Sequence, residues 1–347
     1  MSTELRVSPA SLREAIRTAL LRAGVPDFIA RVEGEVMAEA DWMGVPSHGI
    51  RMLPLLVRSL HQGRANPHPS VALGRDMQAT CLLDGDNGPG RYVSVQAMGQ
   101  AVSRARKYGI GACLALHTTH WGRAHAYACR AAGEGFVGIC TTNAIPNMLA
   151  WNSTRPLLGN NPLAIAFPRG RSREPVVLDL AMSQAAVGKV GTAAREGRQV
   201  PEGWGLDEDG HPTKDPARIL ASRKLLPFGE HKGAGLALMM ELLTAGLSGG
   251  RFSHEIAAQG DAGLDANATK LFIALDPECF LPPDLREDRL EDFLACLCAA
   301  EPDLSLSLPG ERGWRTRERY SVEGIPIHKD IVMELKKIEV DLEEQNG

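Results

Sequence analysis

Through the first part of the chain, apolar residues recur every three or four places. Leu12, Ile16, Leu20 and Leu21 follow Ser8 and Pro9, and this cap and first-turn pair predicts a helix over Ser8–Gly24. Ile29, Val32, Val36, Met37 and Ala40 carry the period from Pro26-Asp27 to near Gly44, and a third run spans Ile50–Leu60. From about Ala79 short apolar runs alternate with helical ones. Thr80–Leu83, Gly111–Leu116, Val137–Cys140, Leu163–Phe167, Val176–Leu180 and Leu271–Leu275 read as strands. Val93–Lys107, Arg123–Gly133, Gly235–Leu247, Asp284–Ala299 and Ile331–Ile338 read as helices. Arg195–Arg223 is turn-rich, with a surface turn at Asp207–Gly210. The alternation predicts an α/β fold behind a helical N-terminal region.

Composition narrows the class. A chain of 347 residues that is 44% hydrophobic and 23% charged is ordinary for a soluble globular protein. A formal net charge of −4 gives no bulk electrostatic reason to expect nucleic-acid binding. The densest basic tract, Arg312–Arg319, follows Glu311 and contains Glu318, so it reads as a mixed-charge surface. No apolar run reaches the ~18 residues of a membrane span, and the polar start around Glu4 and Arg6 shows no secretory signal, so a cytoplasmic location is expected. Seven cysteines without a Cys-x-x-Cys fit reduced thiols acting as small core hydrophobes.

Candidate chemistry clusters at the ends of the predicted strands, where α/β proteins bind ligands. Ser47-His48-Gly49 follows Pro46 at a helix junction, and His117-Thr118-Thr119-His120-Trp121-Gly122 closes a strand. An imidazole near its ordinary pKa of ~6.5 suits proton transfer at neutral pH; a solvated loop histidine is the bland reading of either. His117 and His120 have metal-ligand spacing, which leaves a metal-dependent hydrolase as a reading from another class, although no third ligand or glutamate base is adjacent. Asp179 could hold a ribose hydroxyl or cap a following helix. A Gly-x-Gly-x-x-Gly fingerprint is missing; Gly88-Pro89-Gly90 reads as a plain turn. Gly229–Gly235, with Lys232, leads into an apolar helix, and such an entrance can present backbone N–H groups to a phosphate.

Together these segments resemble the malate/L-lactate dehydrogenase type 2 oxidoreductase family, the group of the ureidoglycolate dehydrogenases, 2,3-diketo-L-gulonate reductases and Δ1-piperideine-2-carboxylate reductases. The motifs are Ser47–Ile50, Thr119–Gly122, Thr142-Asn143, Leu158–Pro162, Leu178–Ala181, Lys232-Gly233, Phe272–Ala274, Leu308–Glu311 and Gly324–Pro326. The resemblance implies a non-Rossmann nicotinamide-binding α/β domain, a helical domain built from the N-terminal and C-terminal segments, and a homodimer. The expected division is 1–75 helical, 76–282 α/β for cofactor and substrate, and 283–347 helical, packing on the N-terminal domain. It implies hydride transfer between NAD or NADP and a small 2-oxo/2-hydroxy acid, or a cyclic imino acid. Residue by residue, His48 and His120 fall on proton-transfer positions, and Ser47, Arg51 and Thr119 on the substrate side. Thr142, Asp179, Leu180, Ala181, Met182, Ser183, Lys232, Gly233, Gly310 and Glu311 fall on the cofactor side. The chain departs from the family at Met52, where an arginine is usual and the arginine here is Arg51, and at Thr269-Lys270, where Gly-His is usual.

Overall fold

The computed structural model describes residues 4–170, 173–257, 267–299 and 306–344. The chain opens with β1 (Glu4–Val7), α1 (Pro9–Arg22) and α2 (Asp27–Trp42). Two tight 3-10 turns, Pro46–His48 and Ile50–Met52, lead into α3 (Leu53–His61). Next come β2 (Ala72–Asp76), β3 (Thr80–Gly88), α4 (Gly90–Tyr108), β4 (Ile110–Thr118), α5 (His125–Gly133) and β5 (Val137–Thr142). Then β6 (Met148–Leu149), β7 (Pro156–Leu158), β8 (Leu163–Phe167), β9 (Val176–Leu180), α6 (Val187–Arg195), β10 (Gly205–Leu206), α7 (Pro216–Ser222) and β11 (Lys224–Leu225) follow. The last third holds α8 (His231–Glu241), α9 (Ser253–Ala257), β12 (Ala268–Leu275), α10 (Pro283–Ala299), α11 (Glu311–Glu323), β13 (Ile325–His328) and α12 (Lys329–Lys336).

The main sheet has seven strands in the order β2-β3-β4-β12-β5-β8-β9. β3 and β4 run parallel; the other neighbours are antiparallel. α4 and α5 cover one face, where Val93, Ala97 and Ala101 meet Cys113, Ala115, Phe272 and Ala274 in a fully buried core. A second core joins Leu12, Ile16, Leu20, Ile29 and Met37 to Ile325, Ile327 and Leu335. The antiparallel β1–β13 pair thus ties the end of the chain to its start. A third core packs the small sheet β10-β11-β6-β7 against α6, α7 and α8 through residues such as Met148, Val190, Leu225 and Ala237.

Several expectations shift. α8 begins at His231, so Lys232 and Gly233 lie inside its first turn and do not precede the helix. The 195–223 stretch contains a helix, α7, capped by the Asp215 carboxylate on the Ala217 N–H. Residues 283–344 divide their contacts: β13 and α12 join the N-terminal core, but Glu291 of α10 pairs with Arg169 and Arg173 beyond β8. Cys81, Cys113 and Cys140 are core thiols, whereas Cys279, Cys296 and Cys298 are exposed. Among the described residues, no helix is long and apolar enough to cross a membrane.

Candidate active site

Ile29, Glu33, Met37 and Asp41 stand four residues apart on α2 and share its buried face. Its two acids hold neighbouring backbone and Arg91. The Asp41 carboxylate accepts the Ile50 N–H at 2.6 Å. A Cβ on Gly49 would lie 2.1 Å from that carboxylate, so only glycine lets the 46–52 backbone close over it. Burial raises the Asp41 pKa to about 7, against the opposing pull of the Ile50 N–H and Arg91. Glu33 accepts the Tyr92 N–H at 2.9 Å and pairs with Arg91 at 3.1 Å, both side chains fully buried. Arg91 in turn donates to the His48 carbonyl at 3.4 Å. His48 is thereby held at the end of its turn, with Ser47 Oγ 2.9 Å from its Nδ1.

His120 arrives from the opposite side. Between β4 and β12 the register slips: Lys270 stands opposite Ala115, and Ala268 opposite Thr118. The slip includes His117, whose φ of 47° is unusual for a residue with a side chain. Its ring is sent outward to Asp84, 3.0 Å away. The Thr118–His120 turn then folds against the start of α4. Thr119 Oγ1 accepts the Gly90 N–H at 2.9 Å and donates to the Gly88 carbonyl at 3.1 Å. A Cβ on Gly90 would sit 2.0 Å from the Thr119 carbonyl oxygen and 2.5 Å from that of His120.

The two rings meet with centroids 5.8 Å apart and planes 21° from parallel. His120 Nδ1 accepts the Gly122 N–H at 3.2 Å, which puts the proton of the neutral ring on Nε2. Both rings are half-buried, and desolvation lowers both pKa values. For His48 it brings the value to about 4; Asp179 opposes the fall, and Arg91 and Arg123 add to it. For His120 the direction is also downward, first from desolvation and then from Arg91, His48 and Lys270. Near neutral pH the structure therefore presents two neutral imidazoles.

This arrangement can be compared with known proteins. The malate/L-lactate dehydrogenase family profile matches residues 7–336. An NADP(+)-dependent (2R)-3-sulfolactate dehydrogenase of Chromohalobacter salexigens is 36% identical, over 94% of this chain and 96% of that protein. A Δ1-pyrroline-2-carboxylate/Δ1-piperideine-2-carboxylate reductase of Pseudomonas putida is 33% identical, over 97% and 98%. The solved malate dehydrogenase of Pyrococcus horikoshii superposes with a TM-score of 0.89 at 30% identity, covering 99% of this chain and 98% of that one. The chain belongs to the malate/L-lactate dehydrogenase family.

In this family member the other candidates divide into three groups. Asp179, at the end of β9, comes to His48, and Arg123 Nε binds its carboxylate at 2.7 Å. That ion pair replaces the helix-cap alternative for Asp179. Leu180, Ala181, Met182 and Ser183 continue from it to the first turn of α8. There a Cβ on Gly233 would lie 2.8 Å from the Met182 carbonyl, and Lys232 is exposed beside it. A second group is turned to internal work. The Thr119 hydroxyl is engaged as above, and that of Thr142 donates to the Asn143 and Thr269 carbonyls at 2.8 and 3.1 Å. The third group stands apart. Gly310 packs on Val177, at the other end of β9, and Glu311 accepts the Leu308 N–H at 3.0 Å.

The hydrolase alternative loses its geometry: His117 is exposed on Asp84, while His120 faces His48. Among the described residues the one cluster spaced for a metal is Asp207, Asp209 and His211, far along the chain, and Arg218 already pairs with both aspartates. Sequence reasoning missed Glu33, Asp41, Arg91 and Arg123. The signal was present for the first two, as acids on the apolar stripe of α2; the two arginines carry none before the fold brings them in.

Proposed function

We propose that the protein is an NAD(P)-dependent oxidoreductase that interconverts a small 2-hydroxy acid and its 2-oxo acid, with His48 and His120 as the proton-handling pair. The observation that carries the reading is the facing of these two neutral rings beside the Arg123–Asp179 pair, in a chain of this family. Bound NAD or NADP would accept or supply the hydride. The residues present fit such a group. Among the described residues buried Arg123 Nη1 has no hydrogen-bond partner, and the Leu180–Ser183 strand end runs to the exposed Lys232 at the start of α8. Gly310 and Glu311, cofactor-side positions on residue match, stand apart at the other end of β9, and this surface is proposed without them. The sheet itself, with one parallel pair, supports a non-Rossmann mode of holding it.

In the oxidative direction neutral His48 accepts the hydroxyl proton as the substrate oxygen becomes a carbonyl, and Asp179 steadies the resulting charge. His120 points its Nε2–H as a donor to the same oxygen. Arg51 is assigned to the substrate carboxylate. It is exposed beside Ser47, shows no hydrogen-bond or ion-pair partner among the described residues, and feels Arg195 of α6 as well as partial burial. Thr119 acts on the substrate side by shaping the turn, its hydroxyl being engaged already.

Steady-state kinetics on 2-hydroxy acids, with NAD and NADP compared by thermal shift, test this reading. His48→Ala should lose at least about a hundredfold in kcat. Arg51→Ala should instead raise KM about ten- to a hundredfold. Full turnover by His48→Ala, or no stabilisation by either nucleotide, would sink the proposal.

The helical unit formed by residues 1–75 with β13 and α12, and the α/β unit of 76–282, are proposed as its two domains. A reducing, cytoplasmic compartment is proposed on the free cysteines. The homodimer is supported by α8 and the π-helical turn Leu242–Gly246 that continues it, where Leu236, Leu238, Met239, Leu242, Leu243 and the following Leu247 are all exposed and uncharged. A helix whose solvent-facing side is apolar is built to be covered. The stripe runs roughly 16 Å, enough to centre a patch of about 800 Å² per partner, and a second copy presents the same face to it.

A further inference from the structure

The two facing rings come from different parts of the chain. His48 belongs to the helical unit proposed over residues 1–75 and His120 to the α/β unit of 76–282, so their spacing depends on how those units are joined. One side chain touches both turns. Arg91 is the second residue of α4, and only 2% of its side chain is exposed. Its Nη1 binds Glu33 of α2 at 3.1 Å, and its Nη2 donates to the His48 carbonyl at 3.4 Å. On its other side the guanidinium lies against Gly122, where an added Cβ would stand 2.8 Å from Nε. Gly122, at a φ of 79°, is the residue whose N–H holds His120 Nδ1. The Arg91 Nε–H is itself buried with no hydrogen-bond partner among the described residues. Leaving a buried donor unmet is costly, and an ion pair this deep adds little net stability over apolar side chains of the same volume. Stability therefore does not account for the arrangement.

We propose that Arg91 is a positioning residue: anchored by Glu33, it is the strut that sets the distance and orientation between the His48 and His120 rings. The contacts beside it in the first turn of α4 act in the same direction. The Tyr92 N–H donates to the second Glu33 oxygen at 2.9 Å, so both oxygens of that carboxylate fix the start of α4. The Gly90 N–H donates to Thr119 Oγ1 at 2.9 Å, which ties α4 to the turn before His120. Arg91 adds the His48 turn to that joint. The planar fork is what the role requires, with two nitrogens aimed at Glu33 and the His48 carbonyl and the third against Gly122. A lysine could hold Glu33 as a point charge, but one ammonium could not meet all three groups. Gly122 has to lack a side chain for the same reason, because Nε occupies the space that its Cβ would need.

The inference rests on the reading of the two histidines as the proton-handling pair, and it is tested first where no reaction is needed. In apoprotein labelled with 13C and 15N in histidine, NMR of the wild type should show cross-relaxation between the two rings, and His120 protonated on Nε2. Removing Arg91 alone would strand a buried carboxylate. The informative change is therefore double, Glu33→Gln with Arg91→Met, which leaves no charge behind and keeps an acceptor for the Tyr92 N–H. This variant should fold with a Tm near that of the wild type, lose the ring-to-ring cross-relaxation and give mixed tautomers at His120. With a 2-hydroxy acid its kcat should fall roughly ten- to a hundredfold, the scale of a misplacement near 1 Å, while KM for the nucleotide stays within about twofold. Arg91→Lys should show the same losses to a smaller degree. A purely structural ion pair would change the Tm and leave the ring signals and kcat alone. Wild-type ring signals in the double variant would overturn the proposal. If that variant failed to fold, wild-type ring signals and kcat in Arg91→Lys would overturn it equally. Altered ring signals in the variants of a protein that turns over no 2-hydroxy acid, wild type included, would count against the proposed reaction and not against Arg91.

Discussion

At the scale of single residues, Asp41 and His48 are neighbours with opposite pH behaviour. Asp41 has a folded pKa of about 7 against an ordinary 3.8. Its contribution to stability is complete below the ordinary value and is lost as pH rises through 7. His48 has a folded value of about 4 against 6.5. Its contribution is complete above 6.5 and lost as pH falls through 4. The turn that carries His48 is therefore most strained on the alkaline side by Asp41 and on the acid side by His48. Asp41→Asn keeps an oxygen to accept the Ile50 N–H and cannot ionise. Relative to the wild type it should gain stability between pH 5 and pH 8, by roughly 2–4 kcal/mol across the window. Denaturant midpoints of both proteins at the two pH values check this; a constant difference would mean that Asp41 stays ionised throughout.

At the scale of elements, the long periodic segments were readable because one face of each is buried. Leu12, Ile16 and Leu20 of α1, or Val93, Ala97 and Ala101 of α4, announce that face in the primary structure. The alternating burial of β4 and β8 is equally plain. β2 was missed because all five of its residues are exposed, so no apolar signal exists. What no local pattern carries is the slip at His117, which depends on β12 lying between β4 and β5, more than a hundred residues away in sequence. That slip separates two histidines that look like a pair in the sequence and brings together two that do not. The Gly88-Pro89-Gly90 segment was read as a plain turn, yet Gly90 is where α4 touches the His120 turn. Gly90→Ala would push a methyl group to 2.0 Å from backbone that cannot give way cheaply. We expect it to cost about 1–3 kcal/mol, the range for overpacking, and to lower kcat more than it raises KM, because His120 is displaced while Arg51 is not. Equal effects on both constants, or none, would show that the turn moves freely.

At the scale of the whole molecule, the N-terminal helices and the α/β sheet were visible, and the resemblance carried the functional class. A buried network inside the α/β unit was not visible. Asn161 donates to Glu241 at 2.7 Å and to the Ala237 carbonyl at 3.0 Å, and accepts the Ala144 N–H at 3.0 Å. Glu241 also accepts the Ser253 N–H at 3.1 Å. This network turns the one acidic side of α8 inward, and its consequence is outward. With Glu241 satisfied inside, the solvent side of α8 and of the Leu242–Gly246 turn that continues it carries Leu236, Leu238, Met239, Leu242, Leu243 and, just beyond, Leu247. Two copies meeting there would each cover the apolar stripe that begins beside Lys232, so assembly and cofactor binding would be linked through one helix. Leu243→Glu places a charge at the middle of the stripe without touching the inward network. If the wild type dimerises as proposed, sedimentation should report a monomer for the variant, and the nucleotide-induced thermal shift should shrink with it. A Leu243→Glu protein that remains a dimer would move the interface elsewhere; a monomeric variant with an undiminished nucleotide shift would keep the interface and break the link.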